Sequence, residues 1–128
     1  MTQSHPRAAG IIYLACPYTD SDPTIREARF HAANEAAGAL IKQGHIVFSP
    51  ITMTHPLDKV LAGDDTMGSD YWVEFDVAFM EACSEMIVLM IDGWRTSSGV
   101  RREIAHFKEQ GKPIRYMDPL TGTMAAEH

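Results

Sequence analysis

Met86-Ile87-Val88-Leu89-Met90-Ile91 is a run of six apolar residues without a charge and without alternation. Such a run between polar, turn-forming stretches predicts a strand buried on both faces, as in a parallel sheet covered by helices. Its flanks support that reading. Upstream, Asp70 to Cys83 has a helical pattern. Downstream, Asp92-Gly93-Trp94-Arg95-Thr96 reads as a loop, and Ser97 or Ser98 can cap a helix running to about Gln110. Gly111-Lys112-Pro113 closes that helix, and Ile114-Arg115-Tyr116-Met117 is the next strand.

Toward the N-terminus, Ile11 to Cys16 is a second continuous apolar run, ended by Pro17. Thr24 to Lys42 is Ala-rich and helical, stopped at Gly44, and His45 to Ser49 is a short strand before Pro50. Ile51 to Ser69, with Pro56 and Gly63-Asp64-Asp65, predicts a long irregular stretch with a short helical turn near Leu57 to Leu61. The tail after Asp118 is expected to be poorly ordered. The order β-α-β-loop-α-β-α-β predicts one α/β domain over residues 1–128, with its core at about 11–117. The sheet is flavodoxin-like or Rossmann-like and mostly parallel, in strand order 2-1-3-4, with helices on both faces. Ligands of such sheets bind at the carboxyl ends of the strands, where strand order reverses. That point joins the loop after Cys16 to the loop after Ile91.

The 128 residues suffice for one core, and 45% hydrophobic with 22% charged residues is ordinary for a globular protein. A net charge of −6 argues against a surface that grips long nucleic acid. It leaves room for an anionic small molecule held by backbone N–H groups at a helix start. Residues 1–10 lack the apolar core of a signal peptide, and no apolar run is long enough to span a membrane. Cys16 and Cys83 form no Cys-x-x-Cys pair and read as buried, reduced thiols, so a cytoplasmic location is expected. His45, His55 and Asp58 match no metal-ligand spacing, and neither a metal nor another cofactor is expected.

Two carboxylates stand in unusual places. Glu74 and Glu81 share one face of the 70–83 helix, while Asp76, two residues from Glu74, is turned roughly 200° from it. Asp76 falls among Trp72, Phe79 and Met80, where a carboxylate is costly without a partner or a task. In the next helix Val100, Ile104 and Phe107 form the apolar stripe, with Glu103 at its edge and Arg101, Arg102 and Glu109 on the other side. Glu103 lies near the helix start, whose dipole favours an ionised carboxylate, the state a nucleophile needs. Each alone also fits a structural ion pair. Ser97-Ser98-Gly99 opens the helix with hydroxyls, free N–H groups and a glycine, which suits an anion or serves only as a cap.

Taken together, the strand end Tyr13-Leu14-Ala15-Cys16-Pro17-Tyr18, the helical Trp72 and Asp76, and Ser97-Ser98-Gly99-Val100-Arg101-Arg102-Glu103-Ile104 resemble the nucleoside 2-deoxyribosyltransferase superfamily. That group includes 2′-deoxynucleoside 5′-monophosphate N-glycosidases and cytidine monophosphate hydrolases, and the resemblance spans about residues 11–116. It implies that Glu103 is the nucleophile, that Asp76 assists the leaving base and that Tyr13 sits near sugar and nucleophile. It implies further that Ser97 holds a 5′-phosphate and that Pro17-Tyr18-Thr19 lies beside phosphate or sugar. The first loop carries Pro17-Tyr18-Thr19-Asp20 where the monophosphate hydrolases have a Gly-Ser-Ile-Arg-Gly-Gly type of sequence.

The implied function is cleavage of the N-glycosidic bond of a nucleoside or nucleotide, by hydrolysis in preference to base exchange, in a homodimer or homotetramer. Ser98, Gly99, Trp72, His55 and Arg95 are further candidates for contact with substrate. Trp72, Trp94 or Tyr18 could stack on the base, and Arg95 could pair with a phosphate. A non-catalytic nucleotide-binding module is the alternative. A flavin protein is disfavoured, because the first loop lacks a Ser/Thr/Gly-rich phosphate cradle.

Overall fold

The computed structural model describes residues 10–61 and 69–126. Three apolar runs become adjacent parallel strands: β1 (Ile11–Ala15), β3 (Glu85–Leu89) and β4 (Ile114–Met117), with β2 (Ile46–Phe48) outside β1. The sheet order is β2-β1-β3-β4-β5, so the expected 2-1-3-4 order holds and is extended by one strand. The register pairs Tyr13 with Met86 and Met86 with Ile114.

Alternate residues of each strand feed two cores. Ile12, Leu14, Ile87 and Leu89 face α1 (Pro23–Lys42), whose Ala33, Ala36, Ala37 and Leu40 lie against them. Small side chains on that stripe let the helix approach the sheet closely. Tyr13, Ala15, Met86 and Val88 face the opposite way, toward Met80 of α3 (Ser69–Ala82) and toward Val100 and Phe107 of α4 (Ser98–Glu109). Helices therefore cover both faces, and β1, which links the two cores, also carries Tyr13 to the α3/α4 side. The N-terminus of α1 is fixed by Asp22, which accepts from the Thr24 amide at 2.9 Å, with Pro23 in the first turn.

Two sequence expectations fail. The stretch after Pro50 is not irregular: it forms α2 (Pro50–Val60), eleven residues with Pro56 inside. Pro50 is accepted at the first turn, and Ile51 and His55, one turn apart, bury against the rest of the fold. Packing of that face outweighs the backbone hydrogen bond that Pro56 removes. The expected Gly63-Asp64-Asp65 turn lies outside the described residues. The tail after Asp118 is also structured over its described residues, up to 126. Asp118 Oδ1 accepts from the Leu120 and Thr121 amides at 2.8 and 3.1 Å, Gly122 takes a φ of +74°, and β5 (Met124–Ala125) returns antiparallel to β4. Among the described residues no helix is long and apolar enough to cross a membrane.

Candidate active site

A cavity of about 660 Å³ opens at the carboxyl ends of β1 and β3, the point where strand order reverses. Its size is within the range of small-molecule sites. The β1–α1 loop, α2, α3 and the start of α4 each contribute wall.

Glu103 and Asp76, from separate helices, both line this cavity. Glu103 is 6% exposed. It lies on the buried side of α4 with Val100 and Phe107, further in than the edge of the stripe. Its Oε2 accepts a hydrogen bond of 2.8 Å from the hydroxyl of Tyr13, itself sealed in the core. Burial pushes the Glu103 carboxyl up to about 8. The Tyr13 hydrogen bond works against that shift, the charge of Asp76 adds to it, and Arg102 opposes it. Desolvation thus outweighs the helix-start dipole that the sequence suggested would keep Glu103 ionised. Asp76 is half-buried, and desolvation raises it to about 6 against the pull of Arg102. The phenol of Tyr13 is driven far above its ordinary value by burial and then by Glu103, so it acts only as a neutral donor.

At the start of α4, Ser97 is the cap: its Oγ accepts from the Val100 amide at 3.2 Å. Ser97, Ser98 and Gly99 line the cavity, as do Trp72 and Tyr18. Trp72 is also held edge-on between Tyr71 and Phe75. Three candidates from the sequence are placed differently. Pro17 is fully buried and does not line the cavity. His55 is 6% exposed and reaches the cavity through Tyr18, whose hydroxyl is 2.7 Å from its Nδ1. Arg95 is outside the cavity wall, with its guanidinium 4.6 Å above the Trp94 ring, because Trp94 turns inward onto Tyr116.

The structure adds Arg29 and Arg102 to the wall. Arg29 donates to the carbonyl of Thr19 at 3.2 Å and to that of Asp92 at 3.4 Å, bridging the loops that follow β1 and β3. Gly93, at φ +92°, makes room for it: a Cβ there would lie 2.7 Å from the Arg29 guanidinium. A sequence signal for Arg29 exists. It continues the buried stripe of Ala33, Ala36 and Leu40 toward the N-terminal end of α1, where the helix meets the strand ends. Cys16 also lines the cavity, but burial pushes its thiol up to about 12, which makes it a poor nucleophile. Among the described residues no group of three or more His, Cys, Asp or Glu could hold a metal ion.

Residues 10–119 match the family described as a domain of unknown function, DUF1937. The chain belongs to the DUF1937 family. No curated protein matches it. Among solved structures, this DUF1937 chain is similar to a 2-deoxyribosyltransferase from the psychrotolerant bacterium Bacillus psychrosaccharolyticus, characterised as a biocatalyst for nucleoside synthesis. The two share 19% sequence identity and superpose with a TM-score of 0.59 over 90% of this chain and 77% of the other. At that identity the likeness establishes a common fold.

Proposed function

We propose that this DUF1937 protein cleaves the N-glycosidic bond of a nucleoside or nucleoside 5′-monophosphate through a glycosyl-Glu103 intermediate. The observation that carries the reading is the meeting of Glu103, held by Tyr13, with Asp76 on one cavity at the switch point of the sheet. The solved 2-deoxyribosyltransferase of the same fold supports it.

Two carboxyl groups in distinct settings can divide the labour of glycosyl transfer. The pair reacts from its one-proton form with the proton on Asp76 and Glu103 ionised: Glu103 then attacks C1′ with one oxygen while Tyr13 holds the other. The C1′–N bond breaks, its electron pair leaves with the base, and Asp76 gives its proton to the base nitrogen. Water then attacks C1′, Asp76 takes up a proton from it, and the ester bond to Glu103 breaks. A second base in place of water gives a deoxyribosyl transfer. Hydrolysis is preferred because the resemblance is to short-chain monophosphate hydrolases with a serine at the start of the corresponding helix. In this reading a 5′-phosphate meets the α4 N-terminus at Ser97, Ser98 and Gly99, with Arg29 as nearby counter-charge.

The test is incubation with a panel of nucleosides and 5′-monophosphates, with and without a second free base, followed by mass analysis. Free base and free sugar support hydrolysis, and a new nucleoside supports transfer. Binding without any bond cleavage overturns the reading in favour of a nucleotide-binding module.

A further inference from the structure

Behind the cavity wall lies a chain of side chains that the carboxyl pair does not use. His55 Nε2 is 2.8 Å from Glu27 Oε1, and His55 Nδ1 is 2.7 Å from the Tyr18 hydroxyl. The same hydroxyl is 3.1 Å from Asp58 Oδ2. The ring of His55 is stacked on Phe30, with centroids 4.4 Å apart, which fixes its plane. Tyr18 and Asp58 line the cavity, whereas His55 does not.

Counting protons defines what this chain can do. A carboxylate only accepts, so the Nε2 of His55 carries a proton toward Glu27. The Glu27 carboxyl is held below its ordinary range, first by that hydrogen bond, and is ionised. Tyr18 has one proton and two acceptors within reach. With the Nε2 proton engaged by Glu27, Nδ1 can take the Tyr18 proton, and Asp58 then faces a hydroxyl oxygen with no proton between them. Asp58 is exposed, so water serves these two acceptors until a ligand that brings a donor replaces it.

We propose that Tyr18 and Asp58, positioned by His55 and Glu27, form a recognition subsite for a hydrogen-bond donor of the substrate. This rests on the nucleoside reading of the cavity. The donor is either an exocyclic amino group of the base or a hydroxyl of the sugar. A phosphate is excluded from this end by Asp58, which places it at the α4 end. The groups facing this network are Glu27, His31 and Arg26 on α1, Asp58 and Lys59 on α2, and Tyr18 itself. His31 and Lys59 approach Glu27 at 3.1 and 3.8 Å.

The experiment is calorimetric binding at pH 7 to the full chain carrying Glu103→Gln, which prevents turnover. The probes are cytidine, uridine and their 2′,3′-dideoxy counterparts. The probe that bears the recognised donor is expected to bind about tenfold more tightly than the counterpart that lacks it, the size of one hydrogen bond to a charged group. Added Tyr18→Phe or Asp58→Asn should remove that preference. A preference for cytidine over uridine assigns the donor to the base; a preference for the ribosides over their dideoxy counterparts assigns it to the sugar. A preference untouched by Tyr18→Phe and Asp58→Asn, or no preference at all, overturns the subsite alone. No binding by any probe overturns it together with the nucleoside reading. Wild-type chain that binds in the predicted manner but releases no base overturns only the glycosidic chemistry.

Discussion

The hydroxyl of Tyr13 and the Oε2 of Glu103, 90 residues apart in sequence, lie 2.8 Å from one another inside the protein. Tyr13 is on β1 and Glu103 on α4, so the contact ties sheet to helix at the floor of the cavity. A buried carboxyl with a neutral donor on one oxygen keeps its other oxygen available, at a cost in stability once it ionises.

That cost has a sign. In the unfolded chain Glu103 titrates at its ordinary 4.5, and in the folded chain at about 8. Folding therefore binds the proton more tightly. The contribution is fully present below the unfolded value and is lost as pH rises through about 8. Glu103→Gln, which keeps an acceptor for Tyr13 and carries no charge, should be more stable than wild type at pH 9 by at least about 1 kcal/mol. Urea unfolding of both proteins at pH 5 and pH 9 checks this. A variant less stable than wild type at pH 9 would count against burial of an ionising carboxyl.

Turnover should follow a bell-shaped pH profile. Burial places the two carboxyls at about 6 and about 8, and these values belong to the pair once it is coupled. Chemistry needs one proton, carried by Asp76; because burial holds Glu103 above Asp76, that is the minor one-proton form, and its fraction still peaks between the two values. Below about 6 both are protonated and no nucleophile remains; above about 8 both are ionised and the leaving base receives no proton. The profile of kcat/KM measures this. A rate still climbing at pH 10 would rule out the assigned proton donor.

Asp76→Asn should lower kcat by about 10²–10⁴, the usual size of general acid catalysis. The loss should shrink for a nucleoside whose base is already cationic through ring methylation, because such a base leaves without a proton. Parallel kinetics on the two substrates test the role. An equal loss on both would make Asp76 a binding group.

Ser97→Ala removes the cap on the Val100 amide and should cost about 1 kcal/mol of stability. Arg29→Ala should raise KM for 5′-monophosphates more than for the matching nucleosides, with kcat on nucleosides little changed. Thermal melts read the first and steady-state kinetics the second. An equal effect of Arg29→Ala on both substrates would limit Arg29 to bracing the Thr19 and Asp92 loops.

The strand order and the two-sided helix cover were legible because the apolar runs at 11–16 and 86–91 are too uniform to face water. Asp76 was legible because it puts a charge among the apolar residues of its helix, whereas Glu103 read only as the edge of a stripe and was singled out by the resemblance. α2 was not, since Pro50 and Pro56 read as breakers and only packing of Ile51 and His55 makes the helix worthwhile. β5 was missed because two residues carry no periodicity. His55 was read as a pocket-lining residue of a long loop and its network was missed, since its partners Glu27 and Tyr18 lie 28 and 37 positions away and leave no local pattern. Arg95 misled, because a loop arginine beside a tryptophan says nothing of which of the two turns inward.

The most direct measurement is the rate of free-base release by wild type and Glu103→Gln on the same nucleoside substrate, with folding of both verified. The predicted result is release by wild type and a loss of at least about a thousandfold in the variant, the scale expected for removing a covalent nucleophile. Release of base by Glu103→Gln at the wild-type rate would contradict the assignment of the buried glutamate as the group that attacks the sugar.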